Sequence, residues 1–126
     1  MSFAHGFLLL SGVLFLFAFA LPLLLATRVW ARVFRWPGAD EASPLAMYFG
    51  RCLGAAAVAI TGVALRYAGS PAHQPLLLEL IALAGAILTG VHVWGAVERS
   101  QPWTEDAEIV LYAGVTAVAF YARLTL

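Results

Sequence analysis

Lysine is absent from this sequence, cysteine occurs once, and charge of either sign is scarce. Each shortage excludes something. A lone thiol, Cys52, rules out an internal disulfide and a CxxC redox pair, and with them a thiol–disulfide enzyme of the quinone-reducing kind. A formal net charge of zero gives nucleic acid no electrostatic footing. Residues 1–6 contain no basic side chain, so the apolar run that follows lacks the n-region of a secretory signal. That run is also too long for a signal core, at about 25 residues against 7–15. It reads as a retained membrane span. A chain of 126 residues leaves no room for a separate catalytic module.

What fills the sequence instead is apolar side chain, 63% of it against 11% charged, a balance that no soluble domain of this size needs. The apolar residues fall into four stretches, 3–27, 44–66, 75–97 and 104–124. A helix needs about 20 residues to cross roughly 30 Å of hydrocarbon. All four qualify, and short connections join them. The expected fold is all-α, a single domain over 1–126 built as an integral membrane bundle of four transmembrane helices.

All seven basic residues are arginines, and their distribution sets an expected orientation. Arg28, Arg32, Arg35, Arg51 and Arg99 lie in or beside the first and third connections, whereas only Arg66 and Arg123 lie on the opposite side. The positive-inside rule then places both termini outside the cytoplasm, with the bacterial inner membrane as the expected location. Arg28, Arg32 and Arg35 recur at i, i+4 and i+7, with Val29, Trp30, Val33, Phe34 and Trp36 around them. As a short amphipathic helix after the first span, this segment would lie at the interface, its guanidinium groups and Trp30 and Trp36 touching lipid head groups.

Close approach of helices in lipid depends on small residues and polar bonds. Gly50-xxx-Gly54, Ala55-xxx-Ala59, Ala82-xxx-Ala86-xxx-Gly90 and Ala113-xxx-Ala117 offer such faces, so spans two to four are the expected core. The phenylalanine-rich first span is expected on the outside or against a partner.

Ionisable residues inside hydrocarbon are costly and need a reason. Arg51 sits roughly 10 Å from the cytoplasmic edge of span two. By its place in span three, His92 reaches a similar depth. Glu98, Glu105 and Glu108 lie close to that level, and Glu105, Glu108, Tyr112, Thr116 and Arg123 form one polar stripe along span four. A single inner layer of Arg51, His92, Glu98, Glu105, Glu108 and Tyr112 follows, with Arg51 expected to pair with Glu108 and His92 with a carboxylate or Thr89. On the outer side, Glu79 is placed to meet Arg66 or Arg123.

No metal site is expected, because the Glu-x-x-His pairs of a dinuclear carboxylate centre are absent. No cofactor is expected either. Haem would need two histidines at one depth, and only His5 and His73 share one, the latter in a loop that makes a poor platform. His92 amid Thr89, Gly90, Gly95 and Ala96 leaves space for a tetrapyrrole bound axially, against which the facing acids weigh. Ser, His and Asp assemble no hydrolase triad. The expected role is therefore a non-catalytic accessory subunit of a larger membrane assembly, respiratory or photosynthetic, whose partners are lipids and other subunits or copies of itself. The alternative is a small enzyme, or a ligand-, lipid- or pigment-binding protein, that uses the layer around Arg51, His92 and Glu108.

Overall fold

The computed structural model describes residues 2–126, and every regular element among them is helical. Four helices are long and apolar enough to span a membrane: Phe3–Leu25, Pro44–Tyr67, Gln74–Glu98 and Trp103–Leu124. The chain is thus an all-α, multi-pass membrane protein. Its helix ends follow from capping chemistry. Ser43 Oγ accepts the Ala46 N–H at 3.1 Å ahead of Pro44, and Glu105 and Asp106 occupy the first turn of span four. Hydroxyl caps satisfy orphan N–H groups there, and acids complement the positive end of the macrodipole.

The first span is not a plain α-helix. Residues Leu16–Ala20 widen into a π-turn, in which the Leu21 N–H bonds the Leu16 carbonyl five residues back. Pro22 accounts for this. It has no N–H to give to Ala18, and its ring presses on that carbonyl, so one extra residue in the turn relieves both. At Ala26 (φ −139°, ψ 49°) the helix breaks, and a short helix, Thr27–Val33, follows. The Thr27 hydroxyl donates to Leu23 O at 2.7 Å across the bend.

That short helix is shorter than the arginine spacing suggests. It stops at Val33, and Arg35 stands in a left-handed conformation (φ 60°), outside the face shared by Arg28 and Arg32. The Arg35 and Trp36 N–H groups bond Arg32 O and Ala31 O, the paired closure of a Schellman motif. Span three ends the same way: Arg99 is left-handed (φ 54°), and the Arg99 and Ser100 N–H groups reach Ala96 O and Gly95 O. In both motifs an arginine holds the position that glycine usually takes.

The chain groups into two compact units, Leu9–Arg66 and the stretch through Leu8 joined with Tyr67–Leu126. Within Leu9–Arg66, Gly50 and Gly54 of span two make room for the end of the first span and the start of the short helix. A Cβ at Gly54 would stand 2.5 Å from the Leu24 backbone nitrogen, and one at Gly50 would stand 2.5 Å from Thr27 Cγ2. Two of the first span's phenylalanines are used here as well, while Phe17 stays exposed. Phe15 stacks on Phe19 (4.8 Å), Phe19 meets Trp30 edge-on (5.3 Å), and Trp30 stacks on Phe34 (4.5 Å). This aromatic ladder fastens the short helix to the span that precedes it.

In the other unit, spans three and four pack along each other. The buried face of span three includes Leu78, Gly85 and His92, one residue every seven. Gly85 lets the helices touch, since a Cβ there would collide with Thr116 Oγ1. The Ala82-xxx-Ala86-xxx-Gly90 pattern is not the seam: Ala86 and Gly90 are exposed, and nothing lies within 4 Å of a Cβ placed at Gly90. Span four buries Glu105, Glu108, Tyr112, Ala119 and Ala122, so its polar stripe is its inward face at one end and small residues continue it at the other. The expected outer pair forms, Arg123 Nε to Glu79 Oε1 at 2.8 Å, with the two side chains 41% and 57% exposed.

Candidate functional site

Span three presents His92 at the end of its buried seam, and span four presents Glu105, Glu108 and Tyr112 in steps of three and four. Residues so spaced lie above one another on a helix, so one ring meets two carboxylates. His92 Nε2 is 3.1 Å from Glu105 Oε2 and 3.5 Å from Glu108 Oε2. The side chains of His92, Glu105 and Glu108 are only 10%, 7% and 9% exposed.

The other ring nitrogen fixes the chemistry. His92 Nδ1 lies 2.7 Å from Leu88 O, and a carbonyl only accepts, so Nδ1 carries a hydrogen and donates it. In a neutral ring the lone pair of Nε2 then points at two carboxylates. Tyr112 hydrogen-bonds Glu108, and its ring lies 5.0 Å from the imidazole at a tilt of 42°. Glu108 Oε2 is buried and has no hydrogen-bond partner among the described residues. A bare lone pair against two ionised carboxylates, nearly free of water, is a strongly repulsive arrangement. Something positive belongs there.

The connection between the two spans is built to hold the layer. Gln101 Nε2 donates to the His92 carbonyl at 2.9 Å and to Asp106 Oδ1 at 2.8 Å, tying the residue behind the ring to the first turn of span four. The Gln101 amide rests on Gly95, where a Cβ would collide with Oε1. The segment from Gln101 to Glu108 thus supplies a latch, a helix start and two of the acids.

Of the expected layer, His92, Glu105, Glu108 and Tyr112 come together in one unit, while Glu98 is exposed at the end of span three. The carboxylate assigned to Arg51 is held by His92 and Tyr112. Arg51 itself belongs to the Leu9–Arg66 unit, where its exposed side chain lines a shallow recess with Thr27, Arg28, Pro44 and Met47. Thr89 bonds Gly85 O at 2.7 Å rather than His92. Among the expected head-group contacts, Arg28 and Arg35 are exposed, Arg32 pairs with Asp40, Trp30 stands in the aromatic ladder, and Trp36 is half-buried. His73 Nδ1 is engaged by Ser70 Oγ at 2.7 Å, and its ring lies 4.6 Å from that of Tyr67. Sequence reasoning missed Gln101, Gly95, Gly85 and the Leu88 carbonyl.

Comparison with protein-family models, with curated proteins and with solved structures returns no match. The site is therefore read on its own chemistry.

Proposed function

We propose that this is a small, non-enzymatic membrane protein that binds a positively charged ligand, a proton or a metal ion, in the buried layer of His92, Glu105 and Glu108. The observation that carries the reading is the facing of His92 Nε2 and two buried carboxylates while Nδ1 is committed to Leu88 O. Two negative charges buried between the helices are balanced by a cation held between them, or by protons on the ring or the acids. Nitrogen NMR of labelled histidine in the His5→Gln/His73→Gln protein, with infrared detection of the carboxyl groups, tests this near neutral pH. The expected spectrum has a ring that is protonated or metal-bound at Nε2, or a protonated glutamic acid beside it. A neutral ring with no metal at Nε2 and both carboxylates ionised overturns the reading.

The bacterial inner membrane, with both termini outside the cytoplasm, is the location the arginine distribution favours. The first connection then faces the cytoplasm, with Arg28 and Arg51 exposed toward lipid phosphates. Impermeant labelling of single cysteines at positions 2 and 40, in a Cys52-free chain in intact cells, should modify only the first; the reverse pattern sinks the orientation.

A second reading, the accessory subunit of a larger assembly, is favoured by one feature of span two. Ala55, Ala59 and Gly62 are exposed at steps of four and three, and nothing lies within 4 Å of a Cβ placed at Gly62. An uncovered small-residue face suits close approach by another helix better than contact with lipid chains. Purification in mild detergent with a partner at fixed stoichiometry supports it, and a lone monomer opposes it.

A further inference from the structure

We infer that the charge held by His92, Glu105 and Glu108 is a divalent first-row transition-metal ion of the manganese, iron, cobalt or zinc kind. This rests on the cation-site reading above and narrows it. One donor atom from each of the three residues lies within 4.8 Å of the other two. Of the His92 Nε2 distances to the acids, 3.5 Å matches the separation that shared ligation requires and 3.1 Å falls just below it. Atoms about 2.0–2.2 Å from one ion at the corners of a tetrahedron stand roughly 3.3–3.6 Å from each other. Each His92–glutamate pair therefore stands within a few tenths of an ångström of the spacing for a shared ion.

Three further features belong to a metal site rather than to an ordinary buried ion pair. The imidazole Nδ1–H is bound to the Leu88 carbonyl at 2.7 Å, the outer contact that sets the tautomer and turns the Nε2 lone pair toward an ion. Tyr112 hydrogen-bonds Glu108, an outer contact to a second ligand. Glu108 Oε2 is left without a hydrogen-bond donor although its side chain is about nine-tenths buried, and it faces the same point as Nε2. A carboxylate oxygen in that position is completed by a cation or by a proton.

Charge and donor type narrow the ion. A neutral imidazole and two carboxylates sum to −2, so a divalent ion makes the buried layer neutral. The nitrogen donor and the three-ligand set suit transition ions better than magnesium or calcium, which prefer oxygen cages or several waters. Three protein ligands also leave a coordination position for a further ligand.

The test uses the untagged full chain in mild detergent, stripped with a chelator and titrated with Co²⁺, Zn²⁺ or Mn²⁺, with Mg²⁺ as the contrast. One ion per chain is expected, with visible cobalt absorption of low-coordinate nitrogen–oxygen ligation, a raised melting temperature and no comparable response to Mg²⁺. His92→Gln and Glu108→Gln should each weaken binding by at least about 100-fold, and Tyr112→Phe by about 10-fold as an outer contact. Far-UV circular dichroism of the metal-free variants establishes that they are folded; if His92→Gln is not, Tyr112→Phe carries the comparison. Cobalt binding unchanged in folded His92→Gln or Glu108→Gln overturns the assignment. Absence of binding at millimolar metal also overturns it. In that case, a shared proton detected on the ring or acids leaves the cation-site reading standing, whereas a neutral ring with ionised acids removes both.

Discussion

Replacing His92 by leucine is expected to destabilise the protein by about 3–5 kcal/mol, the usual cost of removing one partner from a buried charged pair. The loss comes from what remains. Glu105 and Glu108 would face each other at 7% and 9% side-chain exposure with the imidazole gone. Glu108 Oε2, already without a donor, would gain a like charge as its nearest polar neighbour. Adding Glu108→Gln to the leucine variant should recover part of the loss, because the amide removes one charge and can donate to Glu105. Reversible detergent unfolding of the single and double variants measures the coupling. Strictly additive losses would show that the ring and this acid do not act as one layer.

Gly54→Leu is the second large effect, expected at about 3 kcal/mol, the upper end for overpacking. A Cβ at this position would stand 2.5 Å from the Leu24 nitrogen and 2.7 Å from its Cα, and backbone cannot swing aside as a side chain can. The segment it would displace lies between Pro22 and the break at Ala26, where the first span is already bent. Gly90→Leu makes the contrast. Its side chain enters open space, and replacing a mid-helix glycine offsets a propensity deficit of roughly 0.5–1 kcal/mol, so little or no loss is expected. Thermal melts of the two variants in one detergent check the pair. A worse result for Gly90→Leu would refute the packing described for both units.

Much of this architecture was legible in the sequence, and the reasons differ from element to element. Span boundaries could be read because apolar length and capping residues are local signals: Ser43-Pro44 and Glu105-Asp106 mark helix starts wherever they occur. The inward polar stripe of span four was legible because 3.6-residue periodicity brings Glu105, Glu108 and Tyr112 onto one face. The use of each glycine was not legible. Gly54 and Gly90 look alike as sequence, yet one receives the Leu24 backbone and the other faces open space, a distinction made by a neighbour's path. The end of the short helix was hidden for a similar reason, since nothing in the arginine spacing says that Arg35 leaves the helical region. His92 and Tyr112 engage Glu108 because their helix faces meet it. Gln101 was not legible, because its role depends on reaching back nine residues to the His92 carbonyl.

The left-handed arginines at 35 and 99 show two stages of biosynthesis asking for different residues. Glycine at either position would give a more stable folded chain by roughly 1 kcal/mol, because a Cβ disfavours that backbone. A membrane protein, however, has its orientation chosen while it is being inserted, before those turns exist, and arginine beside a span is what that choice reads. On the proposed orientation Arg99 stands at the cytoplasmic end of span three, and Arg35 closes the short helix in the first connection, on the same side. If that orientation holds, the small strain left at these turns is the trace of a decision made during synthesis.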